Sequence, residues 1–284
     1  MSLLEETRFI MKKYNIKANK SLGQNFLVSQ EVVNTIVDAS NINESDLVIE
    51  IGPGLGTLTK YLLEKAKKVI SIELDKKMVK ILKDRFALYN NFELLNQDIL
   101  KTDLKKLIKE EKEDEKIKSV KIVANLPYYI TTPIIMKLLE ERLDLESITV
   151  MIQKEVADRL IAIPGEKNTG AITYCVNYFS IPEGIIEVPN FSFIPEPEVI
   201  SKVIKLNIRK KLDIKVKDEQ IMFRVIKCAF MQRRKTLLNA LTNTKVFLTK
   251  EEGIKILREL NLDINIRPEN LSLKDFAKIT DKII

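Results

Sequence analysis

The four residues at 125–128, which read Asn-Leu-Pro-Tyr, have the types and spacing suited to methyl transfer onto a planar amine. An exocyclic amine on a nucleobase is a poor nucleophile, because its lone pair is delocalised into the ring. The side-chain oxygen of Asn125 and the backbone carbonyl of Leu126 are two acceptors that could take the amine's N–H bonds and turn its lone pair toward a methyl donor. The ring of Tyr128 could stack on the base. An ordinary strand-end turn with Tyr128 in the core is the alternative.

The residues before this tetrapeptide predict where it lies. Ile122, Val123 and Ala124 form an apolar run typical of a buried strand, and Pro127 must end that strand because proline cannot continue a central one. In open parallel α/β sheets, ligands bind outside the carboxyl ends of the strands. The tetrapeptide is therefore expected at a ligand-binding edge.

Other strand ends carry groups that suit a nucleoside ligand. The loop 52–56, Gly-Pro-Gly-Leu-Gly, lies between a predicted strand at 47–51 and a predicted helix at 57–65. Glycines let a backbone approach a ligand closely, and the helix start offers free N–H groups. Glu73 ends a second strand and could accept both ribose hydroxyls, and Asp98 follows a third and could accept an adenine amino proton. Either acid alone could be a strand-end cap, but together they favour a nucleoside.

Composition excludes several other classes of protein. The chain contains no histidine, which removes histidine triads, bases and metal ligands. Cys175 and Cys228 lie far apart, which argues against zinc and for a reducing compartment. No apolar run reaches the roughly 18 residues of a membrane helix, and the first residues lack a signal-peptide core. We therefore expect a cytoplasmic protein without a metal.

The order of predicted elements indicates an α/β fold followed by a small helical domain. Strands and helices alternate as far as Pro164, which predicts a mostly parallel sheet. The runs 173–180 and 199–208 then read as two strands of an antiparallel edge pair. Between them lies a proline-rich loop bearing Phe191 and Phe193, either of which could face Tyr128 across a base or lie in the core. The remainder reads as helices.

Positive charge is concentrated at the end of the chain. The segment 209–284 has 18 lysines and arginines against 10 acids, a net charge of +8, whereas the whole chain carries +7. We expect a basic RNA-binding domain there, with Arg233, Arg234 and Lys235 on a helix spanning 219–240 and contacting phosphates. A solvated lysine-rich surface, or an arginine in a salt bridge at the domain junction, is the alternative.

Taken together, these motifs resemble the bacterial small-subunit (16S) rRNA adenine N6,N6-dimethyltransferases (KsgA type). The resemblance covers nearly the whole chain, and the motifs occur in the family's order: QNFL, IEIGPGLGTLT, SIELD, QDIL, NLPYYI, QKEVADRL, FIPEPEV and RRKTLLNAL. It implies a Rossmann-like class I methyltransferase domain at 1–208, with an N-terminal arm and loop at 1–30, and a helical domain at 209–284. It also implies S-adenosyl-L-methionine as the cofactor, whose positive charge activates the methyl group without a metal.

The resemblance assigns roles to individual residues. Asn25 and Leu27 would line the cofactor pocket near the methionine end, where Gly52 would also contact the cofactor. Glu73 would bind the ribose and Asp98 the adenine. Asn125 would lie by the reactive methyl group and the target amine, and the flipped adenine would be held by Tyr128 and Phe193. The resulting expectation is dimethylation of adjacent adenines of 16S rRNA within the small ribosomal subunit, by a monomer that binds no membrane.

Some features depart from the family or leave alternatives open. Glu198 and Ile200 stand where the family usually has Lys and Asp, and the charged stretch 109–118 is assigned no role. The methylases that confer macrolide resistance by modifying large-subunit rRNA share the methyltransferase domain. An rRNA-binding assembly factor and a mitochondrial-type transcription factor built on the same fold are the non-enzymatic alternatives. The runs RRKTL and RPENL favour the small-subunit enzymes.

Overall fold

The computed structural model describes residues 1–18, 23–166, 168–232, 234–247 and 249–284. Its strands are β1 (Phe26–Leu27), β2 (Asp46–Ile51), β3 (Lys68–Ile72), β4 (Phe92–Leu95), β5 (Ser119–Asn125), β6 (Ser147–Gln153), β7 (Ser180–Val188), β8 (Phe193–Ile194) and β9 (Ser201–Ile208). Its helices are α1 (Leu3–Lys13), α2 (Gln30–Ala39), α3 (Thr57–Lys65), α4 (Lys76–Arg85), α5 (Leu104–Glu111), α6 (Thr131–Glu140), α7 (Lys154–Ile161), α8 (Ala171–Phe179), α9 (Glu219–Phe230), α10 (Leu237–Asn243), α11 (Lys250–Glu259) and α12 (Leu273–Ile283). Within these ranges, no helix is long and apolar enough to cross a membrane.

A seven-stranded sheet in the order β4-β3-β2-β5-β6-β9-β7 forms the centre of the fold. The strands β4, β3, β2, β5 and β6 run parallel, and β9 runs antiparallel to β6. The register pairs Ile51 with both Ile72 and Ala124, so the three central strands end side by side. Every segment that leaves these strands therefore starts from one edge of the sheet, which confirms the predicted α/β arrangement.

Buried aliphatic side chains hold the helices against this sheet. Val48 of β2, Val33 and Ile36 of α2, and Leu62 of α3 belong to one apolar cluster and are fully buried. Burying a side chain of this size contributes roughly 1.5–3 kcal/mol. Ser29 caps α2 by accepting a hydrogen bond from the backbone N–H of Val32, as its position predicts.

The chain divides into two compact units. The first contains Met1–Ala157 and Glu183–Ile208, and the second contains Asp158–Pro182 and Arg209–Ile284. The second unit starts its longer segment at the predicted boundary of residue 209. It also includes 158–182, which we placed in the methyltransferase domain on sequence alone.

The strand predicted at 173–180 is wrong, because most of that segment is the helix α8. Tyr174 and Tyr178 lie four residues apart on this helix, and both are buried in the second unit. The Tyr174 hydroxyl donates to the carbonyl of Leu271 at 2.7 Å, and its ring meets Phe276 edge-on with centroids 5.0 Å apart. A helix buried on several sides lacks a polar face, so its pattern resembled a strand.

The continuous helix predicted over 219–240 is also wrong. The helix α9 ends at Phe230, and α10 starts at Leu237 behind Thr236, whose hydroxyl caps the new helix by accepting from the Asn239 N–H at 3.4 Å. The Leu237 N–H donates to the carbonyl of Ile266 at 2.8 Å, so this turn is fixed by a neighbouring segment.

This break changes the setting of the predicted phosphate-binding residues. Arg234 and Lys235 lie in the non-helical connection, and both are exposed. Arg233 lies outside the described residues.

Candidate active site

A cavity of about 1080 Å³, including its open mouth, lies at the carboxyl edge of the sheet in the first unit. Its walls come from the segment before β1, the glycine loop (Gly52–Gly56) and the segments that follow β3, β4 and β5. Eight of the residues predicted from sequence line it together: Asn25, Leu27, Gly52, Glu73, Asp98, Asn125, Leu126 and Tyr128.

Asn125 is the last residue of β5, and its amide is held in one direction. Its Nδ2 donates to the backbone carbonyl of Asn25 at 3.2 Å. Because the nitrogen is engaged there, the side-chain oxygen is the group left to accept a hydrogen bond from a ligand. The N–H of Leu126 donates to the carbonyl of Met151 on β6 at 3.1 Å, and the Leu126 side chain is buried. The backbone at this predicted acceptor pair is therefore anchored on both sides.

Tyr128 begins a 3₁₀ turn, Tyr128–Ile130, and α6 then starts at Thr131. The tight turn brings the Thr131 hydroxyl to the Pro127 carbonyl, to which it donates at 3.1 Å. The Tyr128 ring is half-buried, and burial raises the pKa of its hydroxyl. That hydroxyl shares a hydrogen bond of 2.6 Å with Ser201, which fixes the ring at the cavity wall.

Ser201 is a residue that sequence reasoning missed. It is fully buried at the start of β9. It directly follows Ile200, one of the two departures from the family pattern. Nothing in the local sequence links residue 201 to residue 128, so the sequence carried no signal for this contact.

Phe193 lies behind the cavity wall and does not line the cavity. It is 1% exposed and pairs with Leu27 across the short antiparallel ribbon of β1 and β8. A role in holding a flipped adenine would require its ring to be uncovered, and it stays a prediction. Phe191 is 72% exposed, and it also lies outside the cavity lining.

Two glycines of the glycine loop differ in the space around them. A Cβ added at Gly56 would lie 2.5 Å from the ring of Phe86, and residue 56 has a φ of +81°. At Gly52, whose φ is +66°, an added Cβ would meet only Pro127, at 4.0 Å. That open space is where a ligand can approach the backbone, next to the first turn of α3.

Glu73 and Asp98 stand at the ends of β3 and β4 with part of their hydrogen-bonding capacity in use. The two carboxylate oxygens of Glu73 accept from the N–H groups of Gly54 at 3.2 Å and Asp75 at 2.8 Å. Asp98 accepts from the N–H of Leu100 at 2.9 Å. Each carboxylate oxygen has two acceptor sites, so both side chains can still receive hydroxyl or amino protons. Burial raises the pKa of Glu73.

A second buried carboxyl, Glu50 on β2, also lines the cavity and was missed from sequence. It is 1% exposed and accepts hydrogen bonds from the hydroxyls of Thr59 at 2.6 Å and Ser71 at 2.8 Å. Burial is the main cause that raises the pKa of Glu50 to about 7. The hydrogen bonds from the two hydroxyls lower the pKa, and the negative charge of Glu73 raises it further. Glu50 lies inside β2 and not at its end, and an acid inside a strand carries no local signal of a ligand site.

The glycine loop is braced from outside by Arg85 at the end of α4. The Arg85 guanidinium donates to the Leu55 carbonyl, and its other terminal nitrogen forms an ion pair with Glu6 of α1 at 2.6 Å. Lys60 contacts the same carboxylate at 3.6 Å. A helix far away in sequence is thereby connected to the loop.

These residues fit S-adenosylmethionine. The open backbone at Gly52 gives its methionine portion room, the free acceptor sites of Glu73 suit ribose hydroxyls, and the carboxyls of Glu50 and Glu73 suit a cation. The fixed amide of Asn125 stands beside this space, where an amine could be held. The arrangement can therefore bind a charged nucleoside and orient a second planar group against it.

The sequence is similar to those of known methyltransferases that act on ribosomal RNA. Residues 15–283 match the family described as "Ribosomal RNA adenine dimethylase". The chain is 47% identical over 278 residues to "Ribosomal RNA small subunit methyltransferase A" of Alkaliphilus metalliredigens, covering 98% of this chain and 96% of that protein. It is 46% identical over 277 residues to the protein of the same name from Clostridioides difficile, covering 98% and 94%.

Solved structures give the same fold. A dimethyladenosine transferase from Plasmodium falciparum is 29% identical, with a TM-score of 0.76 over 89% of this chain and 95% of that one. The 23S rRNA methyltransferase ErmE is 20% identical, with a TM-score of 0.69 over 91% and 99%. The second likeness concerns the fold alone.

Proposed function

Because the chain belongs to the ribosomal RNA adenine dimethylase family, we propose that its substrate is 16S rRNA within the small ribosomal subunit. On this proposal it transfers methyl groups from S-adenosylmethionine to the N6 amines of adjacent adenines, in the cytoplasm, as a step of subunit biogenesis. The relatives named small-subunit methyltransferases, 46–47% identical over nearly the full chain, support this substrate.

The observation that carries the proposal is the fixed amide of Asn125 beside the glycine loop. With its nitrogen held by Asn25, its oxygen can accept one N–H of the target amine, and the Leu126 carbonyl can accept the other. Those two bonds hold the amine with its lone pair directed out of the base plane. Much of the rate then comes from positioning the two reactants in line.

S-adenosylmethionine supplies a methyl group on a positively charged sulfur, an electrophile that needs no further activation. The chain, which has no histidine, needs no strong base, since the methylated amine becomes acidic and can release its proton to water. Tyr128, with its hydroxyl pinned on Ser201, offers a ring to the base. A second methyl transfer requires the same site to admit a monomethylated adenine.

The test is to incubate the protein and S-adenosylmethionine with undermethylated small subunits, with large subunits and with free RNA, and then to analyse the nucleosides. Dimethyladenosine in small-subunit RNA is expected. Labelling confined to the large subunit would replace this proposal with the resistance-methylase alternative. Stable binding without turnover would favour an assembly factor.

We further propose that Arg234 and Lys235, both exposed in the second unit, contact RNA phosphates. Replacing both with alanine should flatten the slope of log affinity against log salt by roughly 0.7–0.9 for each lost contact. Lys210 and Lys211, also adjacent and exposed, give a control with the same change in charge. A lower melting temperature with an unchanged slope would instead indicate a structural salt bridge.

A further inference from the structure

An exposed aromatic ring stands at the mouth of the cavity. Tyr129 lines the cavity, yet its side chain is 55% exposed, whereas its neighbour Tyr128 is half-buried and bonded to Ser201. Scattered exposed aromatics are common and need no explanation. One that lines the active-site opening, where the substrate must pass, is placed to contact that substrate.

The 3₁₀ turn gives the two tyrosines different directions. With three residues per turn, consecutive side chains project about 120° apart. Tyr128 and Tyr129 therefore cannot stack on the same face of one base. If Tyr128 serves the target adenine, Tyr129 is directed toward another part of the RNA.

The Tyr129 ring rests on backbone that has no side chain. Its Cδ1 and Cε1 atoms lie 3.4 and 3.6 Å from the position that a Cβ on Gly23 would occupy, and residue 23 has a φ of +61°. The Cβ of Pro127 lies 3.7 Å from the same position. One edge of the ring thus lies close to the segment before β1, while Tyr129 stays 55% exposed to solvent.

The other aromatic residue that was expected to contact the RNA base does not line the cavity. Phe193, which the resemblance assigns to the base, is 1% exposed behind the wall formed by β1. Among the described aromatic residues that line the cavity, Phe26 is 5% exposed and packs against Gly54. Of the described aromatic residues that line the cavity, Tyr129 is therefore the one whose ring a nucleotide outside the cavity can reach without rearrangement.

We propose that Tyr129 stacks on the nucleotide that flanks the target adenine and so positions the RNA strand as the target enters the cavity. This inference rests on the proposed function, since it takes the substrate to be RNA. Base-on-ring stacking tolerates any base, so Tyr129 contributes affinity and alignment, and it does not select sequence. Its hydroxyl is dispensable in this role.

The experiment compares methyl-transfer kinetics of wild type, Tyr129→Ala and Tyr129→Phe on the RNA that the wild type methylates, expected to be undermethylated small subunits. Tyr129→Ala should raise KM for that RNA at least about fivefold with kcat within about twofold, because the lost contact is stacking outside the reacting centre. Tyr129→Phe should restore the KM. Phe9→Ala, which removes a ring of 59% exposure on α1, away from the cavity, is the matched control and should behave as wild type.

Three results would overturn the proposal: an unchanged KM in Tyr129→Ala, a loss confined to kcat, or a Tyr129→Phe variant as poor as Tyr129→Ala. Cofactor affinity, measured by titration calorimetry without RNA, should stay unchanged. An equal loss there would make Tyr129 a cofactor contact instead. The wild type alone shows whether the proposed function fails. If the wild type methylates a different RNA, only the substrate assignment is wrong. If it methylates no RNA, both proposals are wrong.

Discussion

The two edges of the central sheet both bury charged side chains, but they treat them in opposite ways. At the amino edge, Asp46 of β2 and Lys121 of β5 are 1% and 2% exposed and form an ion pair of 2.7 Å. At the carboxyl edge, Glu50 of β2 and Glu73, which follows β3, carry the same sign of charge. The amino edge therefore pairs its buried charges with charges of opposite sign, and the carboxyl edge does not.

The amino edge satisfies its charges fully. Besides its bond to Asp46, the Lys121 Nζ donates to the Asn41 carbonyl at 2.6 Å, and the other Asp46 oxygen accepts from the Ser119 hydroxyl. The backbone N–H of Asn43 also donates to Asp46 at 2.8 Å. Such a network fixes the strand starts and leaves nothing for a ligand.

The carboxyl edge bonds its carboxyls to hydroxyl and amide groups instead of cations. Glu50 accepts from Thr59 and Ser71, and Glu73 accepts from backbone N–H groups. Burial raises the pKa of both. We infer from this difference that a cationic ligand offsets the unneutralised charge of the carboxyl edge, and that this charge costs some stability when the cavity is empty.

The largest expected effect breaks the paired edge. Lys121→Met should lower the free energy of unfolding by about 3–5 kcal/mol, because Asp46 would stay buried without its cation. Urea denaturation measures this, and the Lys121→Met/Asp46→Asn double variant should recover much of the loss. Methyl transfer per folded molecule should stay normal. A single variant as stable as wild type would remove the contrast between the edges.

At the other edge, Asn125→Ala should leave the fold intact and slow methyl transfer about a hundredfold or more. Losing a preorganised hydrogen-bond acceptor for the reacting group costs about 3 kcal/mol. Single-turnover rates with saturating cofactor measure it. Asn125→Asp keeps a hydrogen-bond acceptor but loses the donor to the Asn25 carbonyl. This variant therefore separates the acceptor role of the side chain from the bond that orients it. Near-normal rates in Asn125→Ala would refute the role.

The pH dependence of stability tests whether Glu50 is truly unneutralised. Its folded pKa of about 7 lies above the ordinary 4.5, so the folded state holds more protons between those values. Stability from this group is therefore greatest below about pH 4.5 and falls by about 3 kcal/mol as pH rises to 7. Glu50→Gln should gain stability relative to wild type at pH 8 but not at pH 4.5, by denaturation at both. A constant difference would contradict this.

The smallest effect concerns Arg85, a paired charge located at the ligand-binding edge. Arg85→Met should lower the free energy of unfolding by about 1–2 kcal/mol, since it loses charged hydrogen bonds to Glu6 and Leu55. It should also weaken cofactor binding several-fold by releasing the glycine loop, as measured by titration calorimetry. Lys60→Met, which touches the same Glu6 carboxylate, is the control and should spare the cofactor affinity. A lower free energy of unfolding with unchanged cofactor affinity in Arg85→Met would limit Arg85 to a role in stability.

The sequence predicted the site where a local pattern carried the signal. A proline ending a strand, glycines between a strand and a helix, and acids at strand ends each follow from backbone constraints. The residues chosen on those grounds, such as Gly52, Glu73 and Asn125, line one cavity, and their roles there stay predictions. What failed depended on packing between distant segments. The helix α8 is buried on several sides by aromatic partners up to 102 positions away, such as Phe276, and no window of its own sequence shows this.

The same limit explains the residues that sequence reasoning missed. Ser201 matters because it meets Tyr128, 73 positions earlier in the chain. Arg85 matters because it joins α1 to the glycine loop. The exposure that separates Tyr129 from Phe193 is likewise a property of the folded surface, and both rings look alike in the sequence.

The buried carboxyl of Glu50 is expected to couple ligand binding to the release of a proton to solvent. A group with a pKa of about 7 is half protonated at neutral pH, and a cation arriving in the adjoining cavity favours its charged form. Cofactor binding at pH 7 should then release a fraction of a proton. Heats of binding measured in phosphate and in Tris should differ in proportion to the ionisation enthalpies of the two buffers. With Gln at position 50, the two heats should agree.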